Sequence, residues 1–281
     1  MPAAIIRRPP RRPLKATQGR RATRGVSINV ELPTSEGLAR LGPDKDGAGI
    51  EDAMQGLQSA IVEAKDARKR FRSTPQFAPA GQSTQMIVGA DQASGVTIVA
   101  RASALYGQYR LRRVYCSAFS PIPDASAVLP LKRPPLIREH RLYQSDWLMR
   151  FYGFQPDDLA GAADADGMLP LDIDPKLAWA LKFRGAFPVN VNRASREELL
   201  RVPGLGARAV GAILASRRHR QLRLDDLAKL TTSLTKIRPF IIAADWRPLL
   251  LTDRADLRAL VAKPRAEQLE LFAARCSGHD H

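Results

Sequence analysis

The feature that most constrains the fold is a bend at 202–206 with the sequence Val-Pro-Gly-Leu-Gly. Before it, Ser195 and Glu198 have the spacing of a capping box, which predicts that a helix begins there. Gly204 and Gly206 allow left-handed backbone angles and a close approach of the backbone to another molecule. After the bend, apolar residues recur at helical spacing and predict a second helix with one apolar face, formed by Leu205, Ala209, Val210, Ile213 and Leu214.

The second predicted helix would present free main-chain amides at its N-terminus. The N–H groups of Gly206, Ala207 and Arg208 would have no partner within the helix, and such groups bind phosphate. Over residues 189–217 the sequence resembles a helix-hairpin-helix DNA-binding motif and is closest to the hairpins of competence-type DNA receptors. The resemblance implies contacts to a DNA phosphate from Pro203, Gly204, Leu205, Gly206, Ala207, Arg208 and Arg217.

The charge around the bend agrees with an anionic partner. Residues 188–224 contain eight arginines and two glutamates, a net charge of +6. Such a surface holds a polyanion through phosphate contacts that carry no sequence information. The alternative is a helical hairpin that contacts another protein and whose arginines form a solvated face. The coincidence of charge and loop chemistry favours nucleic acid.

A second unit with a similar apolar rhythm follows at 224–240. Its bend, Thr231-Thr232-Ser233, lacks the glycines of the first bend. We therefore expect it to pack under the first hairpin and to bind phosphate poorly or not at all.

The bulk composition limits the remaining choices. A chain of 281 residues that is 44% hydrophobic can bury a core and predicts two domains. The net charge is +16, and residues 1–25 carry eight lysines and arginines with no acid, which predicts a disordered basic arm. Cys116 and Cys276 are too few for a disulfide scaffold and indicate a reducing cytoplasm. No apolar run approaches the roughly 20 residues of a membrane span, so no membrane association is expected.

The first half of the chain alternates strands and helices. Strands are predicted at 26–31, 84–89 and 114–118, and helices follow the first two of them. This order predicts parallel βαβ units with right-handed crossovers. A further helix at 134–153 carries Leu136, His140, Tyr143, Trp147 and Phe151 at helical spacing. His140 is expected to be a packed or half-buried histidine rather than a catalytic one.

Five segments closely resemble, in order, the C-terminal portion of a bacterial radical SAM family of DNA modification or repair proteins. They are ELPT at 31–34, FAPAGQSTQMIVGA at 77–90, VYCSAFSPI at 114–122, REHRLYQSDWLMRFYGF at 138–154 and LDIDPKLAWALKF at 171–183. The resemblance covers residues 26–245. It implies an α/β fold in which a partial (β/α) radical SAM-like barrel at 26–125 and a helical connector at 126–186 precede an all-α helix-hairpin-helix module at 187–245, with a tail at 246–281.

Radical SAM enzymes hold a [4Fe-4S] cluster in a CxxxCxxC loop and use it to cleave S-adenosylmethionine. This chain contains no CxxxCxxC, and Cys116 and Cys276 cannot replace it, because a cluster needs thiolates at defined spacing. No cofactor is therefore expected for this chain alone. The resemblance implies either a truncated or mis-started product or a chain completed by a separate N-terminal half that carries the cluster.

Polar residues near the ends of the predicted strands are candidate cofactor contacts. In barrel enzymes the C-terminal ends of the strands face the substrate. The alternation along 83–86 places either Ser83 and Gln85 or Thr84 and Met86 inward. The resemblance implies contacts to the ribose and amino-acid groups of S-adenosylmethionine from Asn29, Glu31, Ser83, Gln85, Gly89 and Ser117. The alternative is that each is a structural polar residue at a strand end.

The tail contains one further candidate. The segment QLELF at 268–272 resembles the peptide by which bacterial repair and replication proteins bind the sliding clamp. In that reading Gln268 binds a polar pocket, and Leu271 and Phe272 fill an apolar groove. The alternative is an ordinary C-terminal helix.

Together these features predict the cytoplasmic, DNA-binding C-terminal portion of a radical SAM-type DNA modification or repair protein. Two alternatives remain: an active radical SAM enzyme formed with a cluster-bearing partner half, and a non-catalytic protein-interaction module.

Overall fold

A computed structural model describes residues 24–121 and 129–262. The predicted basic arm, apart from residues 24 and 25, lies outside the described residues, as does the predicted clamp-binding segment at 268–272.

The first half is a three-stranded parallel sheet with helices. The sheet has the strand order β1–β2–β3. Its strands are β1 (Val26–Ser27), β2 (Gln82–Val88) and β3 (Arg113–Ala118). The connecting helices are α1 (Ser35–Leu41) and α2 (Gly47–Arg70) between β1 and β2, and α3 (Gly95–Tyr109) between β2 and β3. The predicted parallel βαβ arrangement is confirmed.

Local sequence explains where these helices begin. The side chains of Thr34, Asp46 and Ser94 each accept a hydrogen bond from a main-chain amide in the first turn of α1, α2 and α3, respectively. Such caps satisfy amides that a helix start leaves unpaired. In β2, alternate residues are buried, so one face of the strand packs against the core and the other is half-exposed.

The strands of the described residues form no closed barrel. The predicted strand at 26–31 is also too long, since β1 ends at Ser27 and the chain rejoins β2 only at an isolated bridge between Glu31 and Met86. Glu31 has a φ of 62°, an angle that interrupts a regular strand. The observed architecture is therefore mixed α/β with a small open sheet.

The second half is mainly helical. Helices α4 (Leu136–Tyr152), α5 (Pro156–Gly161) and α6 (Pro175–Lys182) lead into the hairpin, and α9 (Leu224–Leu230), α10 (Leu234–Ile237) and α11 (Leu257–Val261) follow it. The hairpin consists of α7 (Arg196–Arg201) and α8 (Ala207–Ser216). Strands β4 (Val189–Asn190) and β5 (Ile241–Ile242) pair in parallel across it. The prediction of an all-α module is therefore wrong, because this short pairing satisfies main-chain groups on both sides of the hairpin.

One hydrophobic cluster runs through both halves. It includes Val30 and Met86 beside the first sheet, Leu177 in α6, and Val210 and Ile213 in α8. The hairpin thus shares its core with the rest of the described chain.

Arg201 fastens the hairpin to the preceding helices. Its guanidinium donates two hydrogen bonds to Asp158, with N–O distances of 3.0 and 2.9 Å. Its central carbon lies 4.6 Å from the ring centroids of both Phe154 and Trp179. Burial acts to raise the pKa of Asp158, but the hydrogen bonds and charge of Arg201 and the amide of Gln155 hold it below its usual value. A planar fork that also stacks on rings is a role that lysine cannot fill.

No helix among the described residues is both long enough and apolar enough to cross a membrane.

Arg201→Lys should lower the free energy of unfolding by about 1–3 kcal/mol, because it removes the paired hydrogen bonds and the ring contacts. Urea denaturation measures the change. Arg196→Lys in the same helix is the matched control, since Arg196 is exposed and its side chain has no partner among the described residues. Equal midpoints for the two variants would contradict the role of Arg201.

Candidate nucleic-acid interface

The bend between α7 and α8 has the predicted boundaries and one glycine with a clear conformational role. Ser195 and Glu198 form the predicted capping box at the start of α7. Gly204 has a φ of 86°, and a Cβ on it would lie 2.9 Å from Cγ2 of Ile237. Gly204 is therefore required both by the backbone angle and by close packing.

Gly206 differs from this expectation. Its φ is −92°, an ordinary extended angle, so Gly206 does not use the left-handed angles that glycine allows. A Cβ on Gly206 would meet only the hydroxyl of Tyr152, at 3.6 Å. The backbone does not need glycine here, and the absence of a side chain keeps the N-terminus of α8 accessible.

The amides at the start of α8 are not all unpaired. Those of Gly206 and Arg208 have no hydrogen-bond partner among the described residues, as predicted. The amide of Ala207 instead donates to the hydroxyl oxygen of Tyr152 at 3.2 Å. The prediction of three free amides is therefore wrong for Ala207, because the last turn of α4 places a phenol over it.

Pro203 and Leu205 lie inside the bend. Both are buried, whereas Ala207 and Arg208 are exposed and Gly206 is half-buried. Pro203 and Leu205 thus shape the bend from within. Ala207 and Arg208 are the exposed part of the bend, with Gly204 and Gly206 half-buried beside them.

A buried lysine supports the bend from below. Lys176 of α6 is 7% exposed, and its Nζ donates to the carbonyl oxygen of Leu205 at 2.6 Å and lies 4.8 Å from the ring centroid of Tyr152. Burial lowers the pKa of Lys176 to about 7, opposed by the charge of Asp174 and reinforced by that of Lys236. Those two residues form an ion pair beside it.

The second hairpin unit packs against the first, as expected. Its helices α9 and α10 flank the glycine-free bend, and Ile237 and Lys236 of α10 are the side chains nearest to Gly204. Ile237 is fully buried. The second unit therefore serves as the floor of the first bend, while its weak phosphate binding stays a prediction.

The arginines around the hairpin divide into two groups. Arg201, Arg220 and Arg223 form ion pairs, and Arg217 donates to the carbonyl oxygens of Val191 and Ala194 at 3.1 and 2.7 Å. Arg217, a predicted DNA contact, is therefore held against the chain before α7. The other group is exposed and has no side-chain partner among the described residues: Arg193, Arg196, Arg208 and Arg218.

The predicted cofactor contacts come together only in part. Ser83 and Gln85 lie on the half-exposed face of β2, while Thr84 and Met86 are buried. The amide nitrogen of Gln85 donates to Oγ of Ser117 at 2.7 Å, and the main-chain amide of Glu31 donates to the carbonyl oxygen of Gln85 at 3.2 Å. These three residues form one group at the sheet.

The other three predicted contacts are separate from that group. Ser83 pairs in register with Arg113, earlier along the strands. Asn29 is exposed and accepts a hydrogen bond from Ser27 at 3.2 Å. The Cβ position of Gly89 is occupied, since it lies 2.7 Å from Cγ of Pro134.

The described residues do not fit an iron-sulfur cluster. They contain no group of histidine, cysteine, aspartate or glutamate side chains able to hold a metal. Cys116 is buried and is the only cysteine among the described residues, whereas a cluster needs several thiolates at defined spacing. Burial raises the pKa of its thiol to about 12. His140 is exposed rather than packed or half-buried as expected, because it lies on the outer face of α4.

Tyr152 and Lys176 are the residues of this site that sequence reasoning missed. They lie 55 and 29 positions from their partners in the bend, and no local pattern signals such pairings. Among known proteins, no family model, curated protein or solved structure matches the chain. The site is therefore defined by contacts within this chain.

Gly204→Ala should lower the free energy of unfolding by about 1–3 kcal/mol, because a side chain at positive φ is strained and its Cβ would press on Ile237. Thermal or urea unfolding measures the change. In Gly211→Ala, the matched control within α8, the new Cβ meets no atom within 4 Å. This control should be stabilised by about 0.5–1 kcal/mol. A stable Gly204→Ala variant would show that the bend tolerates other geometry.

Lys176→Met should change how stability depends on pH. The folded-state pKa of about 7 lies below the usual 10.5, so between these values the unfolded wild type binds more protons and wild-type stability rises with pH. The variant lacks this contribution. The wild type should therefore gain stability relative to Lys176→Met as pH rises from about 7 towards 10.5, as followed by urea titration at several pH values. The exposed Lys182→Met in the same helix is the control, and a pH-independent difference would exclude the effect.

Proposed function

We propose that the protein binds nucleic acid by holding a backbone phosphate at the N-terminus of α8. The observation that carries the proposal is the group of main-chain amides at 206–208, where two amides lack a partner among the described residues and a tyrosine hydroxyl adjoins the third. Amides at the start of a helix, together with the helix dipole, favour an anion.

Tyr152 extends this group of donors. Its oxygen accepts from the amide of Ala207, which leaves the hydroxyl hydrogen free to donate to a phosphate oxygen. A phosphate at this position would receive hydrogen bonds from the amides of Gly206 and Arg208 and from Tyr152. Hydrogen bonds to a charged acceptor are stronger than those between neutral groups.

The arginines without partners supply the surrounding charge. Arg208 itself carries one of the two free amides, and Arg193, Arg196 and Arg218 are exposed in the same module. Because these contacts address phosphates, binding should depend weakly on sequence and strongly on salt. Arg217 contributes its charge to this field while its guanidinium holds the chain before α7.

We further propose that the chain is the DNA-binding portion of a radical SAM-type DNA modification or repair protein. The five sequence segments that resemble this family in the same order, and the three parallel strands, support this proposal, in which the open sheet is part of a barrel. Since the described residues do not fit a [4Fe-4S] cluster, a separate half would hold the cluster, with S-adenosylmethionine bound to it. Contacts of Glu31, Gln85 and Ser117 to the cofactor, and of 268–272 to the sliding clamp, belong to the same proposal.

Gly206→Val should weaken binding to a DNA duplex about tenfold or more, because its side chain would occupy the approach to the free amides. Fluorescence anisotropy over a series of salt concentrations measures both the affinity and the number of phosphate contacts. Arg208→Ala should also reduce the slope of log affinity against log salt by about 1.

Two matched controls isolate the site. In Gly56→Val the new side chain lies on the exposed surface of α2, where a Cβ meets no atom within 4 Å, and Arg72→Ala removes an exposed arginine far from the hairpin in sequence. Both should bind as the wild type does. If Gly206→Val binds like Gly56→Val, the phosphate is not held at α8.

A further inference from the structure

Helix α4 exposes two large aromatic rings near its C-terminal end. Its exposed positions are 136, 140, 144, 147 and 151, and Trp147 and Phe151 are 54% and 47% exposed. Its buried positions are Leu142, Ser145, Asp146 and Leu148. The helix therefore packs an apolar face on the core, as amphipathic helices do, but it also leaves two large rings exposed and available for contact.

The two rings form an ordered pair. The centroids of Trp147 and Phe151 are 4.5 Å apart, with their planes inclined at 49°. The guanidinium of Arg150 lies 4.9 Å from the Phe151 centroid and is held by an ion pair with Asp146 at 3.3 Å. The pair is thus supported from one side by a fixed cation while it stays open to solvent.

Helix α4 carries both this pair of rings and the residue that contacts the start of α8. The last residue of α4 is Tyr152, whose hydroxyl contacts the amide of Ala207. At 1.5 Å per residue, Phe151 and Trp147 precede Tyr152 by about 1.5 and 7.5 Å along the helix axis. At 3.6 residues per turn, the two side chains also project about 100° and 140° around the helix axis from Tyr152. A strand that leaves the start of α8 would therefore pass around the end of α4 to reach the rings, over an axial rise of about two nucleotide steps of 3.4 Å.

The charge of α4 suits the same occupant. Its two acids are Glu139, which accepts a hydrogen bond from the amide of Ala118, and Asp146, which is buried. No fully exposed carboxylate on α4 therefore repels a phosphate chain that leaves the hairpin. Exposed rings beside a cationic surface are the features that bind single strands, because every unpaired base offers a face for stacking.

We propose that Trp147 and Phe151 form a stacking platform for unpaired nucleobases next to the phosphate held at α8. The proposal rests on the proposed function of the hairpin and names its substrate class as single-stranded nucleic acid, or a duplex with an unpaired segment. A base inside a continuous duplex stack has no free face for these rings. The platform therefore distinguishes single strands from duplexes.

The test compares three probes on the full chain: a single-stranded oligothymidine of about 12 nucleotides, an abasic strand of the same length, and a duplex. The wild type should bind the oligothymidine more tightly than the abasic strand. Trp147→Ala and Phe151→Ala should each weaken oligothymidine binding about tenfold and leave binding to the abasic strand and the duplex unchanged. Oligothymidine should also quench the emission of Trp147, and this quenching should be absent in Trp147→Ala.

The control is Phe71→Ala, which removes another exposed aromatic ring, at the end of α2, and should change nothing. Equal wild-type affinity for the oligothymidine and the abasic strand would overturn the platform, as would Trp147→Ala binding like Phe71→Ala. If the tryptophan emission falls as the protein concentration rises in the absence of nucleic acid, the exposed rings contact another copy of the protein and the platform is overturned.

Failure of the hairpin proposal has a different signature. If oligothymidine binding is sensitive to Trp147→Ala but not to Gly206→Val, the platform stands and the phosphate site at α8 is excluded. If Trp147→Ala, Gly206→Val and the controls all bind as tightly as the wild type, both proposals are excluded.

Discussion

The bend at 203–206 keeps its shape because other helices hold its main chain. Lys176 of α6 binds the carbonyl of Leu205, Tyr152 of α4 binds the amide of Ala207, and Ile237 of α10 fills the space beside Gly204. Short helices such as α7 have too few hydrogen bonds to be stable alone. The exposed amides at the start of α8 therefore depend on tertiary support rather than on the hairpin sequence itself.

Sequence predicted the parts of this structure that local chemistry decides. The capping box at Ser195, the apolar face of α8 and the parallel order of the first strands all follow from patterns within a few residues. Gly204 belongs to the same class, since its positive φ is a property of the bend. The α/β fold class could also be predicted, because strands that alternate with helices have few stable arrangements.

The remaining features depend on partners distant in sequence. Tyr152 and Lys176 have no local signature, and the sequence does not show that of the two glycines only Gly204 adopts a left-handed angle. The apolar periodicity of residues 134–153 correctly predicts helix α4, but periodicity alone does not say which face of the helix is buried. There the hydrogen bond from Tyr106 and the charge of Arg150 allow Asp146 to lie inside, and the rings of Trp147 and Phe151 lie outside.

The shared hydrophobic core limits how the hairpin can be used. Cutting the chain before residue 187 would separate Arg201 from Asp158, Phe154 and Trp179, and would expose apolar side chains that now face α6. The hairpin is thus not an independent unit that could be grafted onto another protein. Its fold depends on the helices that precede it in the chain.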